Sequence, residues 1–196
     1  MKVFITGSSK GFGFYMALSF FKKGWEVICN GRRKPTSFFK DMGMEYHLAD
    51  AYSISSYHLS LYSPDVIINN AYDFKEPLRS GLGQIYFLME SVKYFETIGK
   101  GIIINVNSVA GLIADQNNPE YCSSKWGLRG YSEAIKHGLR MKGINIIDIY
   151  PGKMNAGVNE GSTDKLINAV ELADFIVSLC DIKSFVVSTI HFNKTK

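Results

Sequence analysis

The sequence predicts an α/β protein: an open, doubly wound parallel sheet of about seven strands with helices on both faces. Three observations carry this. Short apolar runs alternate with stretches of helical periodicity along the chain. The runs are apolar almost throughout, as strands covered on both faces require. The first run passes through a glycine-rich turn straight into a helix. Right-handed crossovers order such strands into an open sheet. Ligands of open sheets bind beyond the carboxyl ends of the strands, so functional residues are sought just after each strand.

The elements follow in order. Lys2–Thr6 reads as a buried strand and Gly11–Lys23 as a helix, with Phe12, Phe14, Tyr15, Phe20 and Phe21 on its packing faces. Glu26–Cys29 is a second strand, followed by Gly31-Arg32-Arg33. Met44–Leu48 and Asp65–Asn69 are the third and fourth strands, and Gly83–Thr97 is a helix. Gly101–Val106 is the strongest strand signal, β-branched nearly throughout. Pro119–Lys142 is a long helix, with proline tolerated in its first turn. Ile144–Ile149 is a strand stopped by Pro151-Gly152, Glu171–Cys180 a helix, and Phe185–Ile190 a last strand.

Composition narrows the function classes. A length of 196 residues suits one domain, 1–196. Such a chain buries about 70% of its unfolded surface without a disulfide or metal staple. No apolar run approaches the ~18 residues of a membrane span. The net charge of +4 is dispersed, so neither nucleic acid nor a membrane is expected as partner. Cys29, Cys122 and Cys180 are far apart and odd in number, which suits a reducing compartment. The amino terminus runs directly into the first strand without a signal-peptide pattern, and a cytoplasmic location is expected. The four histidines show no metal-ligand spacing, and no carboxylate pair suggests hydrolysis. Cys122 reads as helix packing rather than a nucleophile.

Several motifs fall where ligands should bind. The first strand ends in Thr6-Gly7-Ser8-Ser9-Lys10-Gly11-Phe12-Gly13. Glycines at this spacing permit a tight turn and close helix–strand packing, and the helix N-terminus offers free N–H groups to a pyrophosphate. After the second strand, Asn30-Gly31-Arg32-Arg33 lacks the carboxylate that would hold an NAD ribose. An arginine fork there suits a 2′-phosphate, and Lys10 adds a second cation. Arg33 reads as part of a solvated turn. Asp50 follows the third strand and is either a ligand contact or a cap, readings that do not exclude each other. Asn69-Asn70-Ala71 ends the fourth strand, and an amide there lines the cleft. Tyr121 and Lys125 share a helix face, and a nearby ammonium favours the phenolate. That spacing arises about once by chance in a chain with 11 Tyr and many Lys, so the context decides its meaning. Ser108 follows the strongest strand, thirteen residues before Tyr121. Pro151-Gly152 closes the sixth strand.

In this order the motifs TGxxxGxG, NNA, Ser, YxxxK and PG resemble the single-domain branch of the short-chain dehydrogenase/reductase family, over nearly the whole chain. The resemblance implies a Rossmann-type sheet and an NADP(H) cofactor. It places that cofactor against Gly7, Ser9, Lys10, Gly11, Phe12 and Gly13, with Arg32 and Lys10 at the basic positions of NADP-preferring members. Asp50 and Ala51 would lie near the adenine, Asn70 and Ala71 along the cleft, and Pro151 and Gly152 beside the nicotinamide. Tyr121 would trade the proton, Lys125 would lower its pKa and hold the ribose, and Ser108 would position the substrate oxygen. Members commonly pair through two central helices, so a homodimer or homotetramer is implied.

The chain also departs from the pattern. Tyr72 replaces the glycine of NNAG. Lys153, Met154 and Asn155 stand where a Thr often follows PG, with Asn155 the candidate substitute. Aligning on Phe87-Leu88 puts Leu82 where many members carry a relay Asn, with Ser80 or Gln84 the alternatives. The substrate-covering stretch is reduced to Lys153–Asn168, where Gly157 and Gly161 suggest mobility. The expected function is NADP(H)-dependent hydride transfer to or from a small-molecule carbonyl or secondary alcohol. Its rivals are a catalytically weak NADP-binding regulator or sensor and an epimerase or dehydratase of the extended branch, which the glycine spacing disfavours.

Overall fold

The computed structural model describes residues 1–155, 166–182 and 186–192. The central sheet comprises β1 (Lys2–Ile5), β2 (Glu26–Gly31), β3 (Glu45–Leu48), β4 (Val66–Asn69), β5 (Gly101–Val106), β6 (Ile144–Pro151) and β9 (Thr189–Phe192). Its order is β3-β2-β1-β4-β5-β6-β9, and all its pairings are parallel. The order reverses between β1 and β4, which opens a crevice at the carboxyl edge. β7 (Met154–Asn155) and β8 (Ile167–Asn168) form a separate parallel pair.

Alternation along the strands splits the core into two. Val3, Ile5, Ile68, Ile104 and Ile147 pack under α1 (Gly11–Lys22) and α6 (Ala169–Leu179). Phe4, Ile67, Ile103 and Ile146 face α3 (Ser56–Tyr62), α4 (Pro77–Ile98) and α5 (Pro119–Arg140). Phe12 and Phe20 are buried, while Phe14, Tyr15 and Phe21 pack partly buried against the same core. Among the described residues no helix is long and apolar enough to cross a membrane.

Some boundaries differ from the sequence expectation. The last strand is Thr189–Phe192 rather than Phe185–Ile190, because its register pairs Asp148 with Thr189 and Pro151 with Phe192; Phe185 lies outside the described residues. α4 starts at Pro77, not Gly83. Gly81 and Gly83 lie inside this helix, because a Cβ on either would collide with Ser124 or with the Tyr52 ring. Glycine, a poor helix former, is here the condition for close packing. The short helices α2 (Ser37–Asp41) and α3 escaped the periodicity reading; α3 is started by a capping box between Ser55 and His58.

A buried polar seam crosses the α4/α5 face at the carboxyl end. Asn69 Nδ2 donates to Gln84 O at 2.9 Å and to Asn105 Oδ1 at 3.0 Å. Asn105 Nδ2 donates to Asp148 Oδ1 at 2.9 Å. Asp148 Oδ2 accepts from Ser132 at 2.7 Å and from Lys136 at 3.1 Å, both on α5. The seam thereby fixes α5 against β4, β5 and β6. Asp148→Ala strands the Asn105 and Ser132 donors in the interior while Lys136 keeps Glu133 at 2.6 Å, and a stability loss of about 3 kcal/mol is expected in urea unfolding. A loss below about 1 kcal/mol, the worth of an exposed pair, would contradict this account of the seam.

Candidate active site

The cleft is built from the turns that follow the strands. Thr6 Oγ1 accepts the backbone N–H of Asn70 at 2.9 Å and of Ala71 at 3.0 Å, and Asn70 Nδ2 donates to Thr6 O at 2.9 Å. These bonds close the ends of β1 and β4 on each other. Gly7 has φ 65°, and a Cβ there would lie 2.7 Å from Ala71 Cα. A Cβ on Gly13 would strike the Gly7 carbonyl. These two glycines therefore serve the tight turn and close packing expected of their spacing. Gly11, at φ 61°, opens α1. Lys10 is the N-cap without a side-chain cap, and the first turn holds no acidic residue. Its N–H groups, with the exposed Ser9 and Lys10, form a donor set suited to a diphosphate. Ser9 packs against Gly31 at the end of β2, and Asn30 ties the same region to His47 O and Ala49 O.

The structure gives Arg32 a partner of its own. Arg32 Nη2 lies 2.7 Å from Asp73 Oδ2. Arg32 beside it and the Lys75 N–H hold the Asp73 carboxyl below the usual carboxylate range. Asp50 caps the 3-10 turn Ala51–Ser53 by accepting Tyr52 N–H at 3.1 Å, and it also pairs with Arg79 at 2.9 Å. The cap reading of Asp50 is thus realised, one turn earlier than α3. Ala51 is buried beneath this turn.

Ser108, Tyr121 and Lys125 meet at the carboxyl ends of β5 and β6. Ser108 Oγ accepts Ala110 N–H at 3.2 Å and caps the turn Val109–Gly111. Lys125 is 3% exposed. Its Nζ donates to Gln84 Oε1 at 2.9 Å and to Val106 O at 3.0 Å. Burial pushes its pKa down to about 7. The expected lowering of Tyr121 by Lys125 is corrected here: burial raises the Tyr121 phenol, and hydrogen bonding with the Ser108 hydroxyl opposes that rise. The Lys125 ammonium sits 4.4 Å from the Tyr72 ring centre and 5.9 Å from that of Tyr121. Tyr72 is pinned by Ser124 Oγ at 2.8 Å and by Pro77 O at 3.2 Å, and it stacks edge-on against Tyr121 at 5.3 Å. Phe74 adds a further ring 5.5 Å from Tyr121.

Gln84, not Leu82, reaches Lys125; Leu82 is 71% exposed. Cys122 Sγ accepts Asp115 N–H at 3.2 Å, a packing role. Pro151 is buried, and Gly152 N–H donates to Phe192 O at 3.1 Å. Asn155 is exposed in β7. Gly157 and Gly161 lie outside the described residues. Asp73, Arg79 and Phe74 were missed from the sequence; none belongs to a motif or follows a strand directly.

Fold and cleft together define an open doubly wound α/β protein with Rossmann-type strand order. A family profile described as short chain dehydrogenase matches residues 82–166. A 3-oxoacyl-[acyl-carrier-protein] reductase FabG of Rickettsia bellii is 25% identical over 187 residues, 85% of this chain and 78% of that protein. A short-chain dehydrogenase of Streptomyces avermitilis superposes with TM-score 0.82 at 17% identity, covering 98% of this chain and 87% of that one. A metagenomic short-chain oxidoreductase solved with NADP superposes with TM-score 0.79 at 20% identity, covering 100% and 98%. In this profile, in these relatives and in its fold, the chain is similar to the short-chain dehydrogenase/reductase family of oxidoreductases.

The Lys125 environment has a consequence for stability. Its folded pKa lies below the unfolded 10.5. The unfolded chain therefore binds more protons between about pH 7 and 10.5, and stability rises with pH in that window. Between pH 7 and 8.5, below the range where the raised thiols Cys29 and Cys180 intervene, wild type should gain urea stability relative to Lys125→Met. Parallel pH profiles of the two would contradict the depressed pKa.

Proposed function

We propose that the protein is an NADP(H)-dependent oxidoreductase acting on a carbonyl or secondary alcohol. The observation that carries this reading is the convergence of Ser108, Tyr121 and Lys125 at the strand ends that flank the glycine cradle. Gly7, Ser9, Lys10, Gly11, Phe12 and Gly13 hold the diphosphate, and Arg32 with Lys10 takes the 2′-phosphate. Asp50 and Ala51 border the adenine; Asn70, Ala71, Pro151 and Gly152 line the path to the reacting end. The bound nicotinamide supplies or accepts the hydride.

The remaining work falls to the chain itself. Ser108 Oγ already accepts a backbone N–H, so its own proton is available to a substrate oxygen. Tyr121 donates a proton to that oxygen in reduction and withdraws it in oxidation. Lys125, carried one turn further along α5, holds the ribose and sets the charge beside the phenol. Gln84 Oε1 accepts directly from the ammonium, on the helix where the resemblance places an Asn that helps a water relay protons to the lysine. The name of the Rickettsia relative, a 3-oxoacyl reductase, supports a carbonyl substrate. A cytoplasmic location suits this chemistry. Leu78, Leu82 and Tyr86, four residues apart on α4, are exposed, as is Trp126 of α5, which supports pairing of two copies through these helices.

A second reading, a catalytically weak NADP-binding sensor, is favoured by one feature: the Tyr72 ring lies over the Lys125 ammonium. Tyr121→Phe separates the two. Turnover with NADPH should fall about 10²–10⁴-fold on a carbonyl panel while NADPH binding persists. Unchanged turnover overturns the assignment, and wild-type binding without turnover selects the sensor. Leu82→Glu should convert the homo-oligomer to monomer in light scattering; an unchanged mass contradicts the α4 interface.

A further inference from the structure

We propose that Asp73 is a specificity-determining residue that occupies the Arg32 guanidinium in competition with the 2′-phosphate of NADPH. The inference rests on the reading that Arg32 faces that phosphate. Its geometry is independent of that reading.

The carboxylate is placed rather than loosely drawn in. Asp73 Oδ2 sits 2.7 Å from Arg32 Nη2, while Oδ1 accepts Lys75 N–H at 3.0 Å. The backbone on both sides of Asp73 is clamped by the buried Ser80. Asp73 N–H donates to Ser80 Oγ at 3.0 Å, and Ser80 Oγ–H donates to Asp73 O at 3.1 Å. Tyr72, one residue earlier, is pinned by Ser124 and Pro77. Asp73 therefore reaches Arg32 from a fixed turn after β4 across the carboxyl end of β1 to the turn after β2.

The surrounding charges strengthen the point. Asp50 also faces Arg32 electrostatically, as does the Tyr52 phenol. Asp50 itself is bound by Arg79, whose other nitrogen pairs with Glu76 at 2.8 Å. Arg32 is thus not an unopposed cation. A 2′-phosphate, carrying about two negative charges, competes well for the guanidinium but leaves Asp73 unpaired beside it. An NADH ribose offers hydroxyl donors and meets no such repulsion. Asp73 accordingly flattens the preference that Arg32 alone would give.

The test is equilibrium binding, read by fluorescence titration of purified protein with NADPH and with NADH, and by calorimetry with adenosine 2′,5′-bisphosphate. Asp73→Asn keeps an acceptor for Lys75 N–H and removes the charge. NADPH and the bisphosphate should bind about three- to fivefold more tightly, the upper end of what one exposed ion pair is worth, with NADH unchanged from wild type. Asp73→Ser should shift the ratio in the same direction. In an Arg32→Ala background the Asp73→Asn effect should vanish. A loop disturbance would move NADPH and NADH together, and that outcome overturns the proposal. An NADPH-to-NADH ratio unchanged by Arg32→Ala overturns the Arg32 reading and the inference with it. A ratio that falls in Arg32→Ala but stays at the wild-type value in Asp73→Asn overturns the Asp73 inference alone.

Discussion

The cleft is organised around an ammonium that, among the described residues, is buried without a carboxylate partner. Lys125 Nζ is held by a side-chain amide oxygen, a backbone carbonyl and an aromatic face. Each is a weak substitute for a counter-ion, and burial depresses the pKa to about 7. The arrangement needs all three elements in register. Val106 comes from β5, Gln84 from α4 and Tyr72 from the turn after β4. The seam Asn69–Asn105–Asp148 fixes α5 to the sheet. Gly81 and Gly83 let α4 approach closely enough for Gln84 to arrive.

The segment Tyr72-Asp73-Phe74 links the two ends of the cleft. Its first ring covers Lys125, its carboxylate engages Arg32, and its last ring packs on Tyr121. Aromatic faces and a carboxylate are the chemical complements of an ammonium and a guanidinium. One short turn thus satisfies two of the three cations, Arg32 and Lys125, that the proposed function assigns to the nucleotide. Under the proposed function, nucleotide binding would exchange partners at each end rather than fill a preformed surface, and its affinity would be a difference between two sets of contacts.

The strand order and both helical layers were legible because apolar runs buried on both faces carry their own signal. The glycine turn, Ser108, Tyr121 and Lys125 were legible because spacing and order constrain them jointly. What escaped depends on tertiary contact. Gly83 read as a helix start because glycine weakens helices, and only the Tyr52 ring packed against it explains its place inside one. Asp73 lies outside every motif, and its partner is 41 residues away. The direction of the Tyr121 shift is set by burial of the phenol, which spacing on one helix does not report. Leu82 was aligned by position, whereas helix rotation presents Gln84 instead.

The most direct measurement is amide hydrogen exchange of the wild-type protein with and without saturating NADPH. The account predicts slowed exchange at residues 7–13, at 70–74 and around Ser108 and Tyr121, with the amino ends of the strands unaffected. No change on adding NADPH, or change confined to the opposite edge of the sheet, would contradict the claim that this cleft holds the nucleotide.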